Sequence, residues 1–127
     1  MIVVDTSALM AILLNEQAAD ECEKALVAES HVVISAGTLA EALVVATRRG
    51  LRAELEALVT QLGVDVELVS AASAARIADA HEKWGRGAGT AGLNFGDCFA
   101  YELARTRGCP LLYVGGDFGK TDIASVL

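Results

Sequence analysis

Short aliphatic segments alternate with long helical segments along this chain, and this alternation restricts its fold more than any other feature. The short segments are rich in Val and Ile, as buried parallel strands are, and they cover residues 2–4, 32–35, 66–69 and 111–114. The long segments are rich in Ala, Leu, Glu and Arg, and they predict helices over residues 7–14, 17–28, 37–49, 51–62, 71–84 and 95–107, of which the first two could form one helix. The alternation predicts a three-layer α/β/α domain with a short, mostly parallel sheet of four or five strands.

Composition and charge exclude several classes of protein. No apolar run approaches the ~20 residues needed to cross a bilayer, and no basic lead of a signal peptide precedes the first strand, so a soluble cytoplasmic protein is expected. Cys22, Cys98 and Cys109 are scattered and form no CxxC pair, which argues against a zinc site and a disulfide framework. The net charge of −7 is the wrong sign for gripping nucleic acid by charge alone, and it suits a metal site or a partner with a basic docking segment.

Four acidic residues stand near the ends of the predicted strands. Asp5 ends the first run, and Asp117 follows the last run after two glycines. Glu41 lies just inside the helix after the second run, and Asp97 lies at the start of the last long helix. Because the carboxyl ends of parallel strands meet at one edge of a sheet, the four carboxylates can meet there. Carboxylates gather in this way mainly to hold a hard cation such as Mg²⁺ or Mn²⁺.

Each acid also has a purely structural explanation. Asp5 could cap the first helix, Asp97 could form a capping box with Asn94, Asp117 could be a turn residue, and Glu41 could be an exposed helix charge. Taken together the acids are harder to explain, because two carboxylates 4 Å apart repel by roughly 4 kcal/mol at an effective dielectric near 20. Four neighbouring carboxylates therefore favour a site that takes up protons or a cation.

A glycine-rich segment and two short motifs need separate interpretation. Residues 85–92 predict a loop, which is either a lid beside the site or a plain connector. The GxGxxG match at 87–92 follows a helix instead of a strand, so it is not a dinucleotide-binding fingerprint. The Gly-Lys-Thr at 119–121 lacks the glycine that a phosphate-binding loop needs, since Val114 occupies that position.

Three segments carry a family resemblance: IVVDTSAL at 2–9, LNFGDCFAY at 93–101 and LLYVGGDFGKTDI at 111–123. They resemble PIN-domain ribonucleases, and they look most like the VapC toxins of VapBC toxin–antitoxin modules. The resemblance extends from end to end of the chain, and the order of its acids (Asp, Glu, Asp, Asp) matches. In many relatives the residue before the last Asp is acidic or an amide, whereas here it is Gly116.

The resemblance implies a single PIN-like domain over residues 1–127 and a role for each of a set of residues. The implied catalytic and metal-binding residues are Asp5, Glu41, Asp97 and Asp117, with Asp5 and Asp97 as the direct Mg²⁺ ligands and Mn²⁺ as a possible substitute. The residues implied to orient these carboxylates are Thr6, Asn94 and Thr121. The cations best placed for RNA phosphates are Arg86 and Lys120.

The implied activity is that of a Mg²⁺-dependent endoribonuclease toxin, which hydrolyses RNA with a metal-activated water and is neutralised by a VapB-type antitoxin. The resemblance also implies a homodimer. An apolar groove at Leu9, Ile12 and Leu13 is a candidate antitoxin dock, with core packing as the alternative for the same residues. Two other functions stay open: an aspartate-based phosphatase, which would need an Asp where Ser7 stands, and a non-catalytic module that binds through the acidic pocket.

Overall fold

The computed structural model describes residues 1–89 and 91–127 of the chain. The strands are β1 (Ile2–Val4), β2 (Val32–Ser35), β3 (Asp65–Glu67) and β4 (Leu111–Leu112). The helices are α1 (Thr6–Leu13), α2 (Ala19–Ala28), α3 (Ala36–Arg48), α4 (Arg52–Gln61), α5 (Ala71–Trp84) and α6 (Phe95–Arg107), and a 3₁₀ turn covers Phe118–Lys120. None of the helices in these two ranges is long and apolar enough to cross a membrane.

All four strands are parallel, in the order β3-β2-β1-β4. Val3 pairs with Val33 on one side and with Leu111 on the other, so β1 is an inner strand with a partner on each side. Every residue of β1 and β2 is buried, as their continuous aliphatic sequences predict. The predicted parallel α/β fold is therefore confirmed.

The side chains of β1 divide the core into two layers. Ile2 and Val4 belong to a cluster with residues of α1 to α4, whereas Val3 belongs to a cluster with residues of α5 and α6. Successive side chains of a strand point to opposite faces of the sheet, so a three-residue strand supplies both layers. This arrangement is the three-layer architecture that the alternation predicted.

The predicted ends of two strands were wrong. β3 stops at Glu67 instead of residue 69, because the chain then leaves the sheet for Ser70, the N-cap of α5. β3 is an edge strand, and its Val66 is exposed. β4 stops at Leu112 instead of residue 114, because the backbone N–H of Val114 donates to Ser7 Oγ (3.0 Å). The bond that ends β4 joins residues 107 positions apart, whereas Ser70 follows the end of β3 after a short local segment.

The first two predicted helices are separate, and α5 and α6 have the predicted bounds. The glycine-rich segment is closed at its base by a bridge between Gly85 and Leu93. The loop that was predicted to be a lid or a connector spans residue 90, which lies outside the described residues. Cys22 and Cys98 are buried and Cys109 is half-buried.

Candidate functional site

Asp5 stands directly after β1, where the carboxyl ends of the strands meet the first turns of α1 and α3. Its side chain is only 2% exposed. Oδ2 caps α1 by accepting hydrogen bonds from the backbone N–H of Ser7 (3.0 Å) and from Ser7 Oγ (2.6 Å). Oδ1 is buried and has no hydrogen-bond partner among the described residues. An unsatisfied buried carboxylate oxygen is costly, so this atom marks a place where a cation or a proton is favoured.

Electrostatics agree with this geometry. Burial raises the pKa of the Asp5 carboxyl from 3.8 to about 6 against the two hydrogen bonds from Ser7. The negative charges of Asp97 and Glu41 raise the pKa of Asp5 further, so these three carboxylates are close enough to repel one another.

Asp97 occupies the first turn of α6 and forms a capping box with Asn94. Its backbone N–H donates to Asn94 Oδ1 (2.8 Å), and the backbone N–H of Asn94 donates to Asp97 Oδ2 (3.0 Å). Burial raises the pKa of Asp97, and the charges of Glu41 and Asp117 raise it further, while the bond from Asn94 and the charge of Arg86 oppose the rise. The residue is therefore both a structural cap and a member of the acidic group.

Glu41 reaches the same place from the second turn of α3. Its Oε1 accepts a hydrogen bond from Thr6 Oγ1 (2.7 Å). Its Oε2 lies against the backbone of Gly96, so closely that a Cβ at position 96 would collide with it. Side chains from α1, α3 and α6 thus meet at one edge of the sheet, as the sequence predicted.

Asp117 lies at the margin of this group. It follows Gly115 and Gly116, of which Gly115 has a φ of +109° that favours glycine. It precedes the 3₁₀ turn, and its carboxylate accepts no capping hydrogen bond from that turn. The carboxylate is exposed, but it is close enough to Asp97 for its charge to raise the pKa of that residue.

The acids are neighbours without forming a closed set of ligands. Within residues 1–89 and 91–127, no three side chains of Asp, Glu, His or Cys come together closely enough to hold a metal ion. Like charges repel, and Asp5, Glu41 and Asp97 are each held by a donor from Ser7, Thr6 or Asn94 instead. The acidic side chains nevertheless suit a hard divalent cation, because every atom that they offer as a metal ligand is an oxygen. In addition, Asp5 Oδ1 has no hydrogen-bond partner in the described part of the chain, and Gly96 leaves room for Glu41.

The other predicted residues fall into two groups. Thr6 and Asn94 hold carboxylates of the site, whereas Thr121 donates to the Phe118 carbonyl (2.6 Å) and so shapes the turn after Asp117. Arg86 is close enough to act on the charge of Asp97, and Lys120 is an exposed residue of the 3₁₀ turn.

Two contacts that the sequence analysis did not assign hold the three motif segments together. Tyr101 Oη donates to Asp122 Oδ1 (2.6 Å) and accepts from Trp84 Nε1 (2.9 Å), which joins α5 and α6 to the last motif. Ser7 bonds both Asp5 and Val114, which joins the first motif to the end of β4. Tyr101 and Ser7 both lie inside the motif segments, and this position is a signal that they matter. Their partners Asp122 and Val114 could not be assigned, because they lie 21 and 107 residues away in sequence.

Replacing Ser7 with alanine is expected to loosen the site. The change removes the 2.6 Å bond to Asp5 Oδ2 and leaves the Val114 N–H without its acceptor. We expect a loss of about 1–2 kcal/mol in the free energy of unfolding, and a loss of about ten- to a hundredfold in the RNA cleavage that the resemblance implies. Urea unfolding and a cleavage assay measure the two effects, and Ser30→Ala, at an exposed serine, is the control. An unchanged activity would show that Ser7 does not position Asp5.

Comparison with known proteins decides the family. The sequence profile of the PIN domain matches residues 2–124. Ribonuclease VapC30 of Mycobacterium tuberculosis is 42% identical over 127 residues, which cover 98% of this chain and 97% of that protein. The chain belongs to the VapC family of PIN domains. The resemblance found in the sequence is thereby confirmed.

Solved PIN-domain structures share the fold. The crystal structure of Mycobacterium tuberculosis VapC20, a sarcin–ricin loop cleaving toxin, has a TM-score of 0.80 at 20% identity and covers 99% of this chain and 98% of that one. VapBC2 from Rickettsia felis, bound to a DNA fragment from its promoter, has a TM-score of 0.71 at 15% identity and covers 98% of this chain and 96% of that one. At these identities the likeness concerns the fold of the PIN domain.

Proposed function

We propose that this PIN domain is a divalent-metal-dependent endoribonuclease toxin of a VapBC module. The observation that carries the proposal is the buried Asp5, whose unsatisfied Oδ1 lies in the field of Glu41 and Asp97 at the carboxyl edge of the sheet. The name of VapC30 as a ribonuclease supports RNA as the substrate class, and the description of VapC20 as a sarcin–ricin loop cleaving toxin supports a cleaving toxin.

The acidic residues take different roles in this proposal. Asp5 and Asp97 would bind Mg²⁺ or Mn²⁺ directly, and Glu41 and Asp117 would complete the acidic group around the cation. A bound divalent cation supplies an activated water and neutralises charge that develops on the scissile phosphate. Thr6 keeps the Glu41 carboxylate in place, and Asn94 does the same for Asp97, through bonds of 2.7 and 3.0 Å.

The remaining residues bind the substrate. Arg86, whose charge acts on Asp97, and Lys120, in the 3₁₀ turn after Asp117, neutralise RNA phosphates. With a net charge of −7, the chain gains little long-range attraction for RNA, so binding depends on the cation and on short-range contacts.

A phosphatase that uses Asp5 as nucleophile is disfavoured. Such an enzyme needs a second carboxylate two residues later, where this chain has Ser7. The Ser7 hydroxyl is already committed to Asp5 Oδ2 and to the Val114 N–H. Asp5 Oδ2 is thus held in the cap of α1.

We propose a VapB-type antitoxin as protein partner and a homodimer as the working state. The solved VapBC2 complex supports the antitoxin, and the acidic charge of this chain suits a basic docking segment. The predicted groove was wrong in one residue, since Leu9 is fully buried in the core. Ile12 and Leu13 are half-buried and pack at the edge of the same core, so they remain available as part of a dock.

Purified chain, separated from any antitoxin, tests the activity. We expect it to cut single-stranded and structured RNA when Mg²⁺ or Mn²⁺ is present, and EDTA to stop the reaction because the carboxylates alone cannot activate water. Asp97→Asn, prepared identically, controls for contaminating nucleases. Cleavage that survives EDTA, or that is equal in Asp97→Asn, would refute the metal-nuclease proposal. Phosphorylation of Asp5 would instead favour a phosphatase.

A further inference from the structure

Phe95 is an exposed aromatic residue at the acidic site. Its side chain is 67% exposed, whereas Phe99 is half-buried and Phe118 is 3% exposed. The rings of Phe95 and Phe99 meet edge to face, with centroids 4.9 Å apart and planes at 74°. Phe99 in turn lies against Gly37 at the start of α3, where a Cβ would collide with its ring. The Phe95 ring is therefore supported from one side and open to solvent on the rest of its surface.

The position of Phe95 in α6 ties it to the acidic group. It is the first residue of the helix, between Asn94, which holds Asp97, and Gly96, against which Glu41 lies. The backbone N–H of Arg86 donates to the carbonyl of Leu93 (3.2 Å), which places the main chain of Arg86 beside the segment that leads into Phe95. Phe95 is thus the residue between two positions that contact carboxylates of the acidic group.

This surface needs a source of RNA affinity other than charge, because the chain is acidic overall. Aromatic side chains supply such affinity to single strands, since every base has a π-face and stacks regardless of its identity. A phenylalanine ring left in water forgoes the stabilisation that burial gives an apolar side chain, and a stacked base would restore part of it. We propose that Phe95 is a stacking platform for an unpaired RNA base beside the scissile phosphate, an inference that rests on the proposed nuclease function.

The test measures stacking apart from cleavage. Single-stranded RNA oligonucleotides of roughly ten nucleotides each carry one 2-aminopurine, a base whose fluorescence falls when it stacks, at successive positions. With Ca²⁺ in place of Mg²⁺, the wild-type chain is expected to quench the probe at one position, and Phe95→Ala is expected to lose this quenching and to bind about tenfold more weakly. Phe95→Trp should keep both properties, and Phe95→Leu, which is apolar without a π-face, should lose them.

A paired comparison sharpens the result. An abasic site at the quenched position should weaken wild-type binding about tenfold and should cost Phe95→Ala little, because the two changes remove the same contact. The control is Leu68→Ala, which truncates a residue that is 81% exposed beyond the edge strand β3. It should bind every oligonucleotide as the wild type does.

Several outcomes would overturn the inference. The inference fails if Phe95→Ala equals the wild type on all oligonucleotides, or if Phe95→Leu matches Phe95→Trp. It also fails if Phe95→Ala lowers the native mass or the antitoxin affinity without changing RNA binding, because the ring then contacts a protein. The fate of the proposed function is read separately from wild-type cleavage with Mg²⁺. A wild type that cleaves while Phe95→Ala cleaves and binds equally well removes only the stacking role, and a wild type that neither binds nor cleaves removes both.

Discussion

Replacing Asp5 with asparagine (Asp5→Asn) is expected to stabilise the fold at neutral pH by on the order of 2 kcal/mol and to lower RNA cleavage at least about a thousandfold. Asparagine caps a helix as well as aspartate does, so the bond to the Ser7 N–H at the start of α1 is kept. What the substitution removes is a buried negative charge beside Asp97 and Glu41. The same charge is the group that the proposed cation needs, so stability and activity change in opposite directions.

The pH dependence follows from the raised pKa of Asp5. In the unfolded chain this carboxyl has a pKa near 3.8, and in the folded chain burial raises it to about 6. The folded state therefore binds the proton more tightly, and the wild type loses stability as the pH rises from the lower value through the higher one. The advantage of Asp5→Asn should be small at about pH 4, grow through about pH 6 and then level off.

Urea unfolding of both proteins across this pH range measures the effect. Asp79→Asn, which neutralises an exposed carboxylate on α5, is the control and should show no such pH-dependent gain. Mg²⁺ should raise the unfolding midpoint of the wild type and leave Asp5→Asn unchanged, since a cation that binds only the folded site stabilises it. If Asp5→Asn were less stable than the wild type at neutral pH, the buried charge of Asp5 would not be destabilising the fold.

The fold was predictable from the sequence because its causes are local in the chain. Val/Ile runs and Ala/Leu-rich stretches report strands and helices directly, and glycines such as Gly108, which is left-handed at the end of α6, mark where helices stop. The ends of β3 and β4 were not predictable in the same way. β4 ends early because Val114 bonds to Ser7, a partner 107 residues away.

The candidate site was predictable in part. Asp5 and Asp97 were each open to two explanations, a helix cap or a member of an acidic group, and the structure gives both residues both properties. The two roles are compatible because the positive N-terminal end of the helix dipole stabilises a carboxylate there, whether it caps the helix or belongs to the acidic group. Glu41 could be located only by resemblance, since its contacts with Thr6 and Gly96 depend on how α3 packs against α1 and α6.

That dependence makes Gly96→Ala the second large prediction. We expect this single methyl group to lower RNA cleavage at least about a hundredfold, equivalent to roughly 3 kcal/mol, without loss of stability. A Cβ at position 96 collides with Glu41 Oε2, the far end of a flexible side chain, which can swing away at the expense of its bond to Thr6. Alanine also favours a helix over glycine by about 1 kcal/mol, so the fold tolerates the change.

Steady-state cleavage and thermal unfolding of matched variants separate a displaced Glu41 from other causes. Gly116→Ala alters the glycine beside Asp117, where a Cβ has nothing within 4 Å, and it should cleave RNA nearly as the wild type does. In a Glu41→Ala background the Gly96→Ala change should cost little further activity, because its collision partner is already gone. Additive losses in that double variant would mean that Gly96 acts through direct contact with substrate, and the backbone of α6 would then approach the RNA at this residue.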